Sequence, residues 1–493
     1  MSSAIRSEKI KRIAGGSKPR VLELCSGCGG MSLGLQAAGF ELVAHVENDS
    51  DAAQSYAVNF SPPEGTSAKG WAAPRDMVEC GPETLAGDLG LGGAEHAFDV
   101  LAAGLPCQAF ARIGRSKLRS VTGDDAAFRN DARAKLYQRF LQYVEVAQPV
   151  IILIENVPDI LNFGGHNIPE EISETLDALG YSTSYTLLNA AFYGVPQLRE
   201  RLFLVAVDKS LGYVPTFPSP THSVELPSGY EGARTVALKY IPEINSHFHP
   251  IPVASSDLPG AVTVKAALSD LPYISEHYRD PKAMKRRKVQ DSLPYRSFTG
   301  LSSYAHLMRE WKGFKTGGTV DGHVVRLTPR DFPIFRRMRA GADYPRALQI
   351  AEEIFGEMLA SESRRPRKGS ARYDEIRGNC VPPYDPGKFP NKWWKLEPTL
   401  PSRTLTAHLG KDSYSHIHWD SKQQRMISVR EAARLQSFPD GFRFAGAMNA
   451  SFRQIGNAVP PLLAYAVSEH IKTELRMAAG SWKKLEAANR HAA

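Results

Sequence analysis

The stretch VLELCSGCGGMSLG, residues 21–34, joins an apolar run to a cysteine-glycine loop and a small-residue segment. Its Cys25-x-x-Cys28 spacing suits a redox dithiol, half of a zinc site, or a cofactor loop. A structural zinc site needs a second C-x-x-C or H-x-H pair downstream, and the remaining cysteines, Cys80, Cys107 and Cys380, supply none. Five cysteines and no apolar leader point to thiols in a reducing, cytoplasmic setting rather than a disulfide framework. No metal site is expected. A thioredoxin-like dithiol does sit between a strand and a helix, but the glycines favour the third reading. Arg20–Leu24 reads as a buried strand and 31–38 as a helix, with SGCGG turning between them. That is the first unit of a doubly wound α/β sheet, whose ligands sit beyond the carboxyl ends of the strands.

The loop is not a dinucleotide fingerprint, because after Gly27 and Gly29 the third glycine position holds Ser32. A Walker loop would need G-K-[ST], which is absent. After a second strand, 41–46, comes Glu47, where a carboxylate can grip both hydroxyls of a ribose. An adenosine ligand without a pyrophosphate fits, with S-adenosyl-L-methionine the candidate; the plainer alternative is glycines that only make a tight turn.

The same edge collects further chemistry. FDVLAA (98–103) is an apolar strand ending in Gly104-Leu-Pro-Cys-Gln108, and VIILI (150–154) is a continuous apolar run suited to a central parallel strand. It ends in Glu155-Asn156-Val157. Downstream, YGVPQLRER (193–201) leads into LFLVAV (202–207), and a period of two puts Arg199 and Arg201 on one face. A short link from the preceding strand, 182–188, makes LFLVAV antiparallel, so its start lies on the same edge as the other carboxyl ends.

At 493 residues the chain accommodates two or three domains. It is 42% hydrophobic, which is a globular composition, and no apolar run reaches the roughly 18–20 residues that span a bilayer. The polar, basic start MSSAIRSEKIKRIAGG is not a secretory signal. A net charge of +8 leans towards a polyanionic partner.

Taken in order, VLELCSGCGGMSLG, VENDS, GLPCQAF, IENV, YGVPQLRER, SVREAARLQSFPDGF (428–442) and QIGNAVPP (454–461) resemble the DNA (cytosine-5)-methyltransferase family. The resemblance covers about 1–207 and 425–470. It implies a Rossmann-like catalytic domain made of 1–207 with 413–493, and a smaller, loop-rich target recognition domain at 208–412. It implies Cys107 as nucleophile, with Glu155, Arg199 and Arg201 at a flipped cytosine. Leu24, Cys25, Ser26, Gly27, Gly29, Gly30, Glu47, Asn48, Asp76, Met77, Gly104, Pro106, Leu136, Asn457 and Ala458 would hold S-adenosyl-L-methionine. The implied partner is double-stranded DNA, the implied state a monomer, and a cognate restriction endonuclease acting separately is the further partner of a modification enzyme. A silent DNA-binding relative and an RNA methyltransferase are the alternatives. Cys25 departs from the pattern, standing where the family commonly has an aromatic residue, and Ala111 stands where serine is common.

The 109–135 segment, basic at its start, reads as a loop that closes over DNA. KAMKRRK (282–288) and RRPRKGSAR (364–372) suit phosphate contacts or solvated loops equally. VPPY at 381–384 resembles the signature of amino-methyltransferases, but Val381 lacks the side-chain acceptor that chemistry needs. TVKAALSDLP (263–272) reads as a helix stopped by Pro272, and 461–475 as an amphipathic helix that packs back on the sheet.

Overall fold

A computed structural model describes residues 4–106, 132–242, 244, 246–297, 300–389, 392–410 and 414–492, with side chains omitted at 132–135 and 483–492. The chain divides into two compact units, Met1–Gly194 with Arg199–Gly260 and Ala458–Ala493, and Val195–Leu198 with Ala261–Asn457. These bounds differ from the expected 208–412. Residues 208–260 pack with the first unit and 413–457 with the second, because each segment makes pairings far along the chain that local patterns do not encode.

The first unit is built on one six-stranded sheet. Its strands are β1 (Arg20–Leu24), β2 (Glu41–Val46), β3 (Val100–Ala103), β4 (Ile151–Asn156), β5 (Tyr181–Asn189) and β7 (Glu200–Asp208), in the spatial order β2-β1-β3-β4-β7-β5. The short β6 (Gln197–Leu198) belongs to the second unit. β1 pairs in parallel with β2 and β3, and β3 with β4. β7 runs antiparallel to β4 and β5. This is the expected doubly wound α/β sheet, and its strand order reverses between β1 and β3, where such sheets bind ligands. Every residue of β3 and β4 is buried, which explains their unbroken apolar runs.

Helices cover the sheet. Gly30–Ala37 packs against Pro461–Ala492, and a Cβ on Gly34 would lie 2.5 Å from Ala464 Cβ, so only glycine permits that approach. The C-terminal segment is therefore a helix against this domain, as expected, and it runs past residue 475. The polar N-terminus is also a helix, Ala4–Ala14. Its Lys9 is buried and donates to the carbonyls of Phe98 (2.6 Å) and Gln148 (3.2 Å); burial pulls the ammonium down to about 8. Residues 246–249 extend the β5 edge, with Tyr185 N donating to His247 O and His249 N to Tyr185 O.

The second unit has small sheets and short helices around buried charge. The expected 263–272 helix is confined to Val264–Leu268. In the Val429–Leu435 helix, capped reciprocally by Ser428 and Glu431, Arg430 and Arg434 are buried. Arg434 bridges Asp440 (2.5 Å) and Asp270 (3.0 Å), and Arg425 grips Glu431 (2.6 Å). Burying one such charge without its partner costs about 3–5 kcal/mol, so these pairs commit the unit to one packing.

Three buried histidines surround Arg425 and Glu431. Burial drives His323 and His418 down to about 3 and His277 to about 4, and Arg425 adds to it. Each imidazole is neutral when folded and takes a proton on unfolding below its ordinary value of 6.5. Glu431, held at about 2 chiefly by Arg425 against its own burial, acts in the same direction below 4.5. Stability of this unit should therefore fall steadily as pH drops from 6.5 towards 4. The protection factors of peptides covering 270–290 and 415–440, corrected for the slower intrinsic exchange at lower pH, should fall over that range; constant protection would contradict the assignment.

Candidate active site

The β1 loop is shaped by backbone geometry. Cys25 adopts φ 53°, an uncommon left-handed conformation for a side-chain-bearing residue. Gly27 (φ 55°) and Gly29 (φ 95°) follow. A Cβ on Gly29 would come within 2.3 Å of the Phe60 ring, whereas one on Gly27 would meet nothing within 4 Å. Glu47, one residue past β2, closes the loop: Oε2 accepts from Gly27 N and Oε1 from Asp49 N, both at 2.8 Å. Burial raises its carboxyl, and these amide donors partly offset that. Arg75 N donates to Glu47 O at 2.7 Å, which carries exposed Asp76 and buried Met77 to the same strand end. Open space over Gly27 beside a carboxylate fits the ribose of an adenosine group.

A buried polar layer beneath this loop was not anticipated. Ser32 Oγ hydrogen-bonds the Glu23 carboxyl and, at 2.8 Å, the Tyr56 hydroxyl. Burial pushes Glu23 up to about 8, aided by Glu47 and Glu155 and resisted by Ser32. Ser26 Oγ meets His45 Nδ1 at 3.3 Å, and the His45 ring stacks on Tyr56 with centroids 3.8 Å apart. The available signal was the lone glutamate inside the apolar strand RVLEL.

The loop after β3 is fixed from two sides. Gly104 N donates to Leu24 O (3.1 Å), and Asn156 Nδ2 donates to Leu105 O (2.8 Å). Asn156 Oδ1 accepts from Val157 N, so the residue after Glu155 holds the chain that leads through exposed Pro106 to position 107. Cys107 itself lies outside the described residues, as do Ala111 and the 109–131 part of the expected closing loop.

Glu155 ends β4 with Arg201 Nε 3.0 Å from its Oε1. Burial raises the carboxyl, while Arg201 and then Arg199 pull it back. Arg199 is fully buried; its own burial and the charge of Arg201 push its guanidinium well down, and Glu155 opposes them. Sheet register accounts for the meeting. Asn156 pairs with Leu202, so Arg201 lies just beyond the carboxyl end of β4, where an antiparallel strand was expected to put it. Glu47 and Glu155 both influence Glu23, so the loop and the ion pair share one sheet edge.

The opening cysteines answer to the same environment. Burial pushes Cys25 up to about 12, with Glu47, Asp76 and Glu23 adding to it, and raises Cys28 further. Negative, apolar surroundings are the reverse of what activates a redox thiolate. Of the other expected residues, Ser26 and Gly30 are buried and Asn48 is exposed. Leu136 sits half-buried on the Ala132–Ala147 helix, Asn457 is exposed at the end of the Met448–Asn457 helix, and Ala458 opens the last segment of the first unit.

A doubly wound sheet with a glycine loop and a buried carboxylate–guanidinium pair on one edge is an architecture that binds a ligand at that edge. Residues 19–473 match the family described as C-5 cytosine-specific DNA methylase. A candidate type II methyltransferase of Oceanobacillus iheyensis, M.OihORF3336P, is 38% identical over 469 residues, spanning 93% of this chain and 96% of that protein. The type II methyltransferase M.AgeI of Thalassovita gelatinovora is 30% identical over 474 residues, 92% of this chain and 100% of that protein. In fold, the chain is similar to a candidate DNA modification methyltransferase encoded within an E. coli prophage (TM-score 0.56, 22% identity, 93% and 99% of the two chains). The chain belongs to the C-5 cytosine-specific DNA methylase family, whose reaction transfers a methyl group to carbon 5 of cytosine in DNA.

If the C-x-x-C pair serves only loop packing, Cys25→Ala/Cys28→Ala should stay folded, losing about 1–3 kcal/mol of stability. Elemental analysis of the parent protein should find no stoichiometric zinc. One zinc per chain, lost in the double variant, would restore the metal reading.

Proposed function

We propose that the chain methylates carbon 5 of a flipped cytosine within a specific double-stranded DNA sequence, using S-adenosyl-L-methionine as donor and Cys107 as nucleophile. The observation that carries this is the buried Glu155–Arg201 pair at 3.0 Å, on the edge shared by the Gly27 loop and the chain leading to position 107. Leu24 to Gly30, Glu47, Asn48, Asp76, Met77, Gly104, Pro106, Leu136, Asn457 and Ala458 are the donor's proposed contacts. The donor supplies an electrophilic methyl on a sulfonium. Glu47 offers its carboxylate to the ribose hydroxyls, while the glycines let the backbone approach.

Carbon 5 of cytosine is a poor nucleophile. Addition of the Cys107 thiolate to carbon 6 would form an S–C bond and move the ring's π electrons onto carbon 5, which would take the methyl as the donor's S–CH3 bond breaks and its electron pair stays on sulfur as a neutral thioether. Loss of the carbon 5 proton and expulsion of the thiolate restore the ring. Glu155, its carboxyl raised by burial, shares a proton with N3 and accepts from the 4-amino group, drawing charge from the ring as the thiolate adds. Arg201 orients Glu155 through a charge-assisted contact, and Arg199 contributes positive potential. A paired base cannot reach this edge, so the cytosine must leave the duplex at a cost of a few kcal/mol. The presence of Cys107, Glu155, Arg199 and Arg201 together favours an active enzyme over a silent relative.

The second unit is the proposed target recognition domain. The likeness to type II methyltransferases supports a modification enzyme with a cognate restriction endonuclease working separately, and the proposed form is a cytoplasmic monomer.

Cys107→Ser should abolish methyl transfer while donor affinity, read by calorimetry, changes less than about twofold, because the thiol is not itself among the donor's proposed contacts, most of which lie on the Gly27 loop and at Glu47. Transfer above a few per cent of the parent rate would refute covalent catalysis.

The basic 285–288 run separates into two roles. Arg287 is engaged, with Nη2 2.9 Å from Glu276 and Nη1 donating to His323 O, whereas Lys285, Arg286 and Lys288 are exposed. Replacing those three with glutamine should weaken target and non-target duplexes alike. The log–log salt slope should fall by about 0.9 for each phosphate no longer neutralised. Weakening confined to the target duplex would instead place these residues in base readout.

A further inference from the structure

The Ser228–Ala237 helix, packed in the first unit, is a weak helix by composition. Gly229 and Gly232 each cost it about 1 kcal/mol relative to alanine, and its Pro227 cap offers no side-chain acceptor. Most of its surface is exposed. The residues withdrawn from solvent, Tyr230, Arg234 and Ala237, follow the i, i+4, i+7 spacing of one helix face. Polar contacts tie it down: Asn162 Nδ2 donates to Val236 O at 3.0 Å, and Arg234 reaches Glu200 Oε1 through Nε (2.9 Å) and Nη2 (2.5 Å).

Glu200 is where this bond acquires a consequence. It is the first residue of β7, paired with Asn189 of β5 on one side. On the other side the pairing with β4 begins only at Leu202, so Glu200 and Arg201 overhang the end of β4 with one neighbouring strand instead of two. Side chains alternate along a strand, so the carboxylate of Glu200 and the guanidinium of Arg201 leave from opposite faces. The Arg201 side chain folds back, with Nη1 donating to the Glu200 carbonyl oxygen at 2.7 Å while Nε faces Glu155 at 3.0 Å. A continuous chain of contacts therefore runs from Arg234 to the Glu200 carboxylate, from the Glu200 carbonyl to Arg201, and from Arg201 to Glu155. Asp159 and Tyr230 also influence the charge on Arg201.

We propose that Arg234 is a positioning residue for methyl transfer, fixing the overhanging start of β7 through Glu200 so that Arg201 holds Glu155 against the cytosine ring. The inference rests on the reading of Glu155 and Arg201 as the base-holding pair. A displacement of about 1 Å in such a group can cost on the order of 100-fold in rate, so one surface-proximal ion pair can control chemistry it never touches.

The test compares Arg234→Ala, Arg234→Gln, Arg234→Lys, Glu200→Ala and the Arg234→Ala/Glu200→Ala double variant, each checked for fold by circular dichroism and for donor affinity by calorimetry. With DNA and donor saturating, kcat should fall about 10- to 100-fold in Arg234→Ala and Arg234→Gln, while KM for DNA and the donor Kd move less than about threefold. Arg234→Lys should recover kcat to within about threefold of the parent. The double variant should be no slower than the slower single variant, because both substitutions remove the same ion pair. If an alanine variant does not fold, the Lys and Gln variants decide the matter, since both are long side chains and only one carries charge. A kcat within twofold of the parent in Arg234→Gln would overturn the proposal, as would multiplicative losses in the double variant. Were Cys107→Ser to retain transfer, the base-holding reading itself would fail; a dead Cys107→Ser with a fully active Arg234→Gln removes only the role of Arg234.

Discussion

A carboxylate and a guanidinium buried 3.0 Å apart, Glu155 and Arg201, are the contact on which the edge of the first unit's sheet depends. Neither charge is stable in an apolar interior without the other. Their meeting demands that a strand running one way end where a strand running the other way begins. In a purely parallel sheet the start of a neighbouring strand would lie at the opposite edge. The antiparallel β7 is the exception that brings two arginines from one strand's start to the carboxyl ends of the rest.

The two units solve the problem of buried charge differently. In the first, the carboxyls at the carboxyl-end edge of the sheet are left unsettled: Glu155 and Glu23 are both raised by burial, and Ser32 donates to Glu23. In the second, Arg425, Arg430 and Arg434 are saturated by carboxylates and carbonyls, so their side chains act as struts. The first arrangement leaves protonation open to a ligand; the second fixes it.

The sequence disclosed the features that depend on neighbours a few residues apart. The strand–glycine loop–helix at 20–37, the carboxylate at Glu47, the strand ends at Gly104 and Glu155, and the direction of β7 all follow from short-range patterns. Hidden were the features that depend on what arrives from far along the chain. VREAARL reads as an ordinary polar helix, and nothing local reveals that Arg434 is buried against Asp270, 164 residues away. His247 joins the β5 edge through Tyr185, so 208–260 looks like a loop until its partner is known. The polar N-terminal helix is likewise invisible until Lys9 meets the carbonyl of Phe98. Glu23 lay in plain view, but its significance comes from Ser32 and Tyr56 closing around it.

The short strand β6 constrains how this chain could acquire a different second unit. Gln197 and Leu198 pair with Ser402 and Arg403, and Gln197 also donates to Leu435 O and takes a bond from Leu405 N. The very next residues, Arg199 to Arg201, belong to the first unit. The second unit is thus not a single cassette. A recombination event that imported a foreign 261–457 segment alone would leave a strand from the host protein facing a stranger's edge. Inheritance of a new second unit therefore requires two crossovers' worth of compatible sequence, one long and one only four residues long, and the short one sits directly before Arg199 and Arg201.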